Sequence, residues 1–342
     1  MVTTDAIAEA RRRPLRCRHL LVWLALAVSA RAEVSDGHYF MPLAGGPVPG
    51  CCDGCGAAAR FHRPAGVAMD RHGRLVVADS MNNTIRRITP AGEVTTLAGS
   101  PGVAGSADGT GRAANFFHPS GLAIDADDCI YVADAENATI RRVSPAGEVV
   151  TLAGTAGTRG NEDGFGARAR FVRPTGVAVG PAGMLFVADP GNETVRQVTP
   201  AGAVTTVARL PGLGPRAVAI EPSGGLLVAG GSAIFRVDAA GTARILARGV
   251  FGALDGLAVD SFGWVYAADR DHDAVLRLSP DGIFLESEFA PVRRPAGLAL
   301  VARGGLVVTT EDNVVGMIHL LPAVASADPA AIGSTGAKNR GD

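Results

Sequence analysis

The stretch "RPAGVAMDRHGRLVVADSMNNTIRRITPAGEVTTLAG", Arg63 to Gly99, decides the fold because the chain repeats it. "HPSGLAIDADDCIYVADAENATIRRVSPAGEVVTLAG" (His118 to Gly154) lies over it at an offset of 55 residues, and "RPTGVAVGPAGMLFVADPGNETVRQVTPAGAVTTVA" (Arg173 to Ala208) follows after another 55. Three weaker copies begin near Ala217, Gly256 and Gly297, at spacings of 41, 39 and 41. Each copy reads as four short strands, "GVAMD", "LVVAD", "TIRRI" and "VTTLA" in the first, broken by "RHG", "SMNN" and "PAGE". Apolar or β-branched runs punctuated by Gly, Asn, Asp and Pro are strand-and-turn chemistry. Four-strand units at this period predict the blades of an all-β propeller, in which each sheet is buried on both faces by its neighbours. Burial on both faces also explains why the strands are apolar throughout and do not alternate.

The count of blades comes to six. The last copy supplies three strands, while "HYFMPLAGG" (His38 to Gly46) matches the fourth-strand segments ending in Leu97-Ala98-Gly99 and Leu152-Ala153-Gly154. The N-terminal strand, residues 38–46, is therefore expected to complete the last blade and leave the ring without an open seam. The repeated residues resemble those of the NHL-repeat family. The resemblance rests on the P-x-G opening (Pro64, Pro119, Pro174, Pro295), the "VAD" strand ending (Asp79, Asp134, Asp189, with "AAD" at Asp269) and the N-x-T-[IV]-R-[RQ]-[IV] strand that follows. It covers residues 38–322 and implies a six-bladed propeller of four-stranded antiparallel blades. The fourth and sixth copies depart from it, with Gly230 and Thr310 in place of the Asp.

Composition agrees: 45 glycines and 21 prolines in 342 residues are too many turn formers for a helical protein. Before the repeats, Arg11, Arg12, Arg13, Arg16 and Arg18 precede the apolar run "LLVWLALAV" (Leu20 to Val28), and Ala30-Arg31-Ala32 is a small-x-small cleavage signal. The run is too short to span a bilayer, which takes about 20 residues. Residues 1–32 are thus expected to be a signal peptide, 33–322 a single propeller, and 323–342, which lacks periodicity, a disordered tail. Removing 1–32 moves the formal charge from −1 to −5. An acidic chain of this kind is a poor match for a phosphate backbone, so nucleic acid is not expected as a partner.

Several repeated residues invite a functional reading. The links before the first three blades are 15 or 16 residues long, each carries D-G-x-G, at Asp53, Asp108 and Asp163, and each ends on an aromatic, Phe61, Phe116 or Phe171. Loops that exceed the usual 2 to 6 residues often carry function, and these are expected to build up one face of the ring. On that face, at the mouth of the central channel, the residue before each P-x-G is Arg63, His118, Arg173 or Arg294, with Gly214 and Ala253 in the two remaining blades. Four basic positions of six suit an anion. The strand-end aspartates are read as turn acceptors, and the arginines of "TIRR" as buried ions paired with those aspartates or with carbonyls of an adjacent blade. Asn82, Asn137 and Asn192 each begin an Asn-x-Thr and are candidate glycan acceptors.

Cysteines cluster in "PGCCDGCG". Asp53-Gly54 is the same turn as Asp108-Gly109 and Asp163-Gly164, so Cys51, Cys52 and Cys55 replace Ser106, Ala107 and Thr110 in a loop that elsewhere works without sulfur. No metal site or cofactor is expected from them. In an oxidising compartment a local disulfide is expected, Cys51–Cys55 or Cys52–Cys55. The function expected is that of a secreted, periplasmic or lumenal binding platform, monomeric and not inserted in a membrane after cleavage. It would take a protein, peptide or glycan on the face with the long loops. The alternative is a metal-dependent lyase or lactonase-like hydrolase working at the channel mouth. The histidines give it little support, because no H-x-H or H-x-x-x-H pair occurs in the repeats.

Overall fold

The computed structural model describes residues 38–249, 251–301 and 304–320. The expected signal peptide, Cys17 and the tail 323–342 lie outside the described residues. The strands form six antiparallel sheets, one per repeat, and these are the blades. Blade 1 holds, from the channel outward, Pro64–Met69, Leu75–Asp79, Thr84–Ile88 and Glu93–Ala98. Blade 4 holds Pro215–Ile220, Leu226–Gly230, Ala233–Val237 and Ala243–Arg248. In blade 6 the strands Pro295–Val301, Gly305–Thr310 and Val314–His319 are joined by Phe40–Gly45, which pairs Phe40 with Ile318 and Gly45 with Val314.

Burial follows the blade interfaces. Six clusters of apolar side chains lie between successive sheets, such as Val76, Ile85 and Phe116 with Val132 between blades 1 and 2, and Ala44, Phe61 and Val77 with Val315 between blades 6 and 1. The core is thus six slabs arranged round the ring. Inner strands meet almost backbone to backbone. A Cβ added at Gly66, Gly121 or Gly297 would lie 2.6, 2.2 or 2.3 Å from the carbonyl oxygen of Ser120, Thr175 or Ala65, so these positions admit no side chain.

Three blades depart from the four strands expected. Gly54–Cys55, Gly109–Thr110 and Gly164–Phe165 each add a fifth, outermost strand to blades 1, 2 and 3. The D-G-x-G segments therefore run along the outer edge of their blades, while the residues that precede them lie on the expected face, where Gly50 O, Gly105 O and Gly160 O meet Asn82, Asn137 and Asn192. The anchor of each segment is a buried arginine. Arg86 is 0% exposed; its Nη1 donates to Asp79 Oδ2 (2.7 Å) and Arg60 O (3.0 Å), and its Nη2 to Asp53 Oδ1 (2.7 Å) and Cys52 O (3.1 Å). Phe61 lies 5.2 Å from the guanidinium carbon. Arg141 repeats this with Asp134, Asp108 and Phe116, and Arg196 with Asp189, Asp163 and Phe171. Thr96, Thr151 and Thr206 hold the loop aspartate from the other side at 3.0, 2.9 and 3.0 Å.

The first arginine of each pair thus takes the first of the two expected partners, the strand-end aspartate of its own blade. The second does reach across in blade 1, where Arg87 donates to Pro145 O at 2.7 Å. Blades 4, 5 and 6 carry Phe235, Leu276 and Gly316 at the clamp position, and among the described residues their outer edges bear no fifth strand.

A guanidinium out of water with two carboxylates and two carbonyls holds only while all partners remain, and truncating one member of a buried pair typically costs about 3–5 kcal/mol. Arg86→Ala is expected to lower the free energy of unfolding in urea by about that amount and to open residues 46–60 to proteolysis, leaving the equivalent loops of blades 2 and 3 resistant. Burial pushes the Asp134 carboxyl up to about 6, with Asn137, the Phe117 N–H and Arg141 opposing it. Folding therefore favours the neutral acid, a contribution present at low pH and lost as pH rises through that value. Without its cation Asp134 would titrate higher still. The stability deficit of Arg141→Leu relative to the parent should accordingly shrink as pH falls toward about 6 and level off below it.

Candidate ligand site at the channel mouth

Residues that looked chemically promising in the repeats are largely consumed by the fold. Asp79 accepts from the His62 N–H (2.8 Å), Asn82 and Arg86; Asp269 accepts from the Gly252 N–H (3.0 Å) and His272 Nδ1 (2.8 Å). His272 fills in blade 5 the place of Asn82, and that hydrogen bond raises its pKa above the ordinary 6.5. Asp53, Asp108 and Asp163 hold the outer loops in place. Asn82, Asn137 and Asn192 each donate Nδ2 twice, to the strand-end Asp and to Gly50 O, Gly105 O or Gly160 O. An N-glycan would take one of those hydrogens, so glycan and network exclude each other at the same residue.

The mouth of the channel is different. Arg63, His118, Arg173 and Arg294 all adopt positive φ, between 45° and 60°, a conformation that non-glycine residues hold only when the surroundings fix it. The fixing is visible: Arg63 N–H donates to Asn313 Oδ1, His118 N–H to Asn83 Oδ1 and Arg294 N–H to Asp273 Oδ1, at 2.8, 2.9 and 2.8 Å. Each turn of one blade thereby orients the rim residue of the next.

The side chains of the rim form three triads, each of two arginines on one carboxylate. Glu311 takes Arg63 at 2.5 Å together with Arg294. Asp255 takes Arg216 at 3.1 Å and Arg270 at 2.7 Å, and Glu136 takes Arg159 at 2.8 Å and Arg173 at 3.0 Å. Arg159 is supplied by the long link between blades 2 and 3. Asp271 adds a fourth carboxylate, 3.2 Å from Arg270 Nε. Burial raises the Asp255 pKa while Arg216 and Arg270 oppose it, and Glu311 adds to the rise. The carboxylates are the buried partners: Glu311 and Asp255 are 11% and 17% exposed, whereas Arg63, Arg294 and Arg216 are 48–49% exposed. The rim therefore shows water a ring of half-satisfied guanidinium groups. Sequence reading found Arg63, His118, Arg173 and Arg294 but missed Arg159, Arg216 and Arg270, which lie outside the repeated motif. Only their position in the ring marks them.

Among the described residues one group has metal-ligand spacing, Asp70, His72 and Asp128, in the turns on the opposite face. Arg74 Nε bonds Asp70 at 2.6 Å and Arg71 Nε bonds Asp128 at 2.9 Å, so resident cations occupy these carboxylates.

The expected local disulfide is not formed. Cys51 and Cys52 are free thiols, as is Cys129. Cys55 forms its disulfide with neither of them, and the backbone here is held by the clamp: Cys52 O accepts from Arg60 N–H and Arg86, while Gly54 and Cys55 pair with Val94 and Glu93 along the outer strand.

The description "NHL repeat" matches residues 61–88. NHL repeat-containing protein 2 of Homo sapiens is 32% identical over 151 residues, which are 40% of this chain and 21% of that protein. Residues 61–88 thus form an NHL repeat, and the chain resembles NHL repeat-containing proteins. A second relative, protein SUPPRESSOR OF QUENCHING 1, chloroplastic, of Arabidopsis thaliana, is 32% identical over 148 residues, 40% of this chain and 14% of the relative. The chain thus spans about a fifth or less of the length of these relatives. Among solved structures, this propeller is similar to a gluconolactonase from Xanthomonas campestris, with a TM-score of 0.61 and 20% identity over 76% of this chain and 87% of that one. A virginiamycin B lyase from Staphylococcus aureus gives 0.54 and 14%, over 76% and 85%. The calcium-binding protein regucalcin from Agrobacterium tumefaciens gives 0.59 and 16%, over 84% and 96%. At these identities the likeness is one of fold.

Alkylation of the folded protein is expected to label Cys51 and Cys52 rapidly and Cys129 slowly, since burial raises the Cys129 thiol pKa and only thiolate reacts. Peptide mapping by mass spectrometry checks the order.

Proposed function

We propose that this propeller is an exported, non-enzymatic binding platform that engages an anionic group of a protein, peptide or glycan ligand at the mouth of its channel. The observation that carries the reading is the set of three triads, in which arginines outnumber their carboxylates two to one and all but Arg270 keep about half their surface or more in water. Guanidinium forks bind carboxylate and phosphate oxygens in pairs, and their positions here are fixed before a ligand arrives. The loop aspartates contribute indirectly, by anchoring the link that carries Arg159.

The fold neighbours named gluconolactonase and virginiamycin B lyase motivate the alternative of an enzyme at the same mouth. Its acidic candidates, Asp255, Glu136 and Glu311, each already hold two arginines, an arrangement suited to keeping carboxylates in place more than to giving them to a metal.

Binding to the folded state alone raises its stability, by about 2.7 kcal/mol at a hundredfold excess over Kd. Thermal unfolding with citrate, inorganic phosphate and, as a neutral control, glucose should show a saturable rise for an anion and none for the sugar. Arg63→Ala, Arg173→Ala and Arg294→Ala combined should abolish it. An identical rise in the triple variant, or none with any anion, overturns the reading. Turnover of gluconolactone that requires added calcium and is lost in Asp255→Asn would favour the enzyme.

A further inference from the structure

The fifth strands of blades 1–3 show what the outer edge of a blade accepts. In blade 1, Gly54 and Cys55 pair with Val94 and Glu93, and Asp53 is gripped by Thr96 and by Arg86 from beneath. Among the described residues, blade 4 presents the same edge without an occupant. Its fourth strand, Ala243–Arg248, pairs on one side with Ala233–Val237, with Val237 opposite Ala243 and Phe235 opposite Ile245. Ala243 stands where blade 1 has Val94, Ile245 where it has Thr96, and Phe235 where it has Arg86. The grip for an aspartate has become apolar.

What surrounds this edge is equally specific. A groove of about 1600 Å³ opens beside the first half of this strand, lined by Thr242, Arg244 and Ile245, by Thr205–Val207 of blade 3 and by Phe262 of blade 5, together with Asp238 and Asp281 from the neighbouring turns. Ile245 is 53% exposed and Phe262 83%. Arg244 and Arg248 are exposed, and neither makes an ion pair among the described residues. The other two edges without a fifth strand are guarded: that of blade 6 carries Pro42, and that of blade 5 carries Glu286 and ends on Pro291. Unpaired, proline-free edges are templates for an added strand.

We propose that the outer edge of blade 4 is a strand-addition site for an extended acidic peptide of a partner protein, which would occupy the place that Gly54–Cys55 takes in blade 1. An apolar side chain would lie on Ile245, and carboxylates at neighbouring positions would meet Arg244 and Arg248. The charge of the strand itself, Arg244 and Arg248 with no acidic residue between them, selects this occupant. A second copy pairing the same strand antiparallel would oppose arginine to arginine, which destabilises a ladder. The chain's own last residues, "SADPAAIGSTGAKNRGD", contain no acidic run.

The test uses the full chain and two labelled probes, acetyl-EVEVEV-amide and acetyl-KVKVKV-amide, followed by fluorescence anisotropy at low salt. The acidic probe should bind and the basic one should not. Arg244→Glu with Arg248→Glu should weaken binding at least tenfold, while matched melting curves confirm that this surface variant folds. N-methylation of alternate probe amides should weaken it as much, because strand addition needs those donors. Unchanged binding in Arg63→Ala/Arg173→Ala/Arg294→Ala separates this edge from the channel mouth. Equal binding of the methylated probe, an unaffected double variant, or no binding of the acidic probe overturns the proposal. So does a chain ending at Leu320 that binds where the full chain does not, since the edge would then belong to the tail.

Discussion

A guanidinium with no exposed surface organises half of this ring. Arg86, Arg141 and Arg196 each join the second strand, the third strand and an incoming loop through four hydrogen-bonding oxygens or ion-pair partners, and each is covered by an aromatic ring at 5.1–5.2 Å. Burying such an ion is costly unless it is paired, so the arginine and the loop aspartate are kept or lost together, whereas blade 5 keeps the strand-end aspartate, Asp269, without the arginine and gives it to His272. Blade 4, with Phe235 and Gly230, and blade 6, with Gly316 and Thr310, have dropped the set. Gly316 leaves room that the Phe40 ring fills; an added Cβ would approach it to 2.4 Å. The ring is therefore two kinds of half-propeller on one plan.

This division has a functional side. Where the clamp is present the outer edge is closed and the long link is free to send a residue such as Arg159 to the mouth. Where it is absent the edge is bare among the described residues. Polar recognition at the mouth and strand recognition at the rim of blade 4 would therefore use different parts of the repeat.

Most of the architecture was legible because it repeats. The offset of 55, the strand-and-turn punctuation and the match of "HYFMPLAGG" to the fourth-strand segments are properties of the chain alone. The destination of the D-G-x-G links was not, since a two-residue strand leaves no periodicity to detect. Their aspartates looked like ligand groups for the same reason: nothing in the order of residues shows that Asp53 and Arg86, 33 positions apart, meet at 2.7 Å. The mouth was half legible. Arg63, His118, Arg173 and Arg294 share a motif position, whereas Arg216 and Arg270 join it only because neighbouring blades bring inner strands and turns together. The cysteine pairing failed because the spacing suggested a tight ring, whereas Cys55 bonds with neither Cys51 nor Cys52.

Phe40–Gly45 must find Val314–His319, and 281 positions separate His38 from His319. During synthesis at about 5–20 residues per second, the first strand waits on the order of tens of seconds for its partner to emerge. Throughout that interval it is a naked apolar edge, and Pro42, which lacks an N–H, makes it a poorer template for stray strands. The last blade is in this sense a timer: the ring becomes a ring only when the final strand is made.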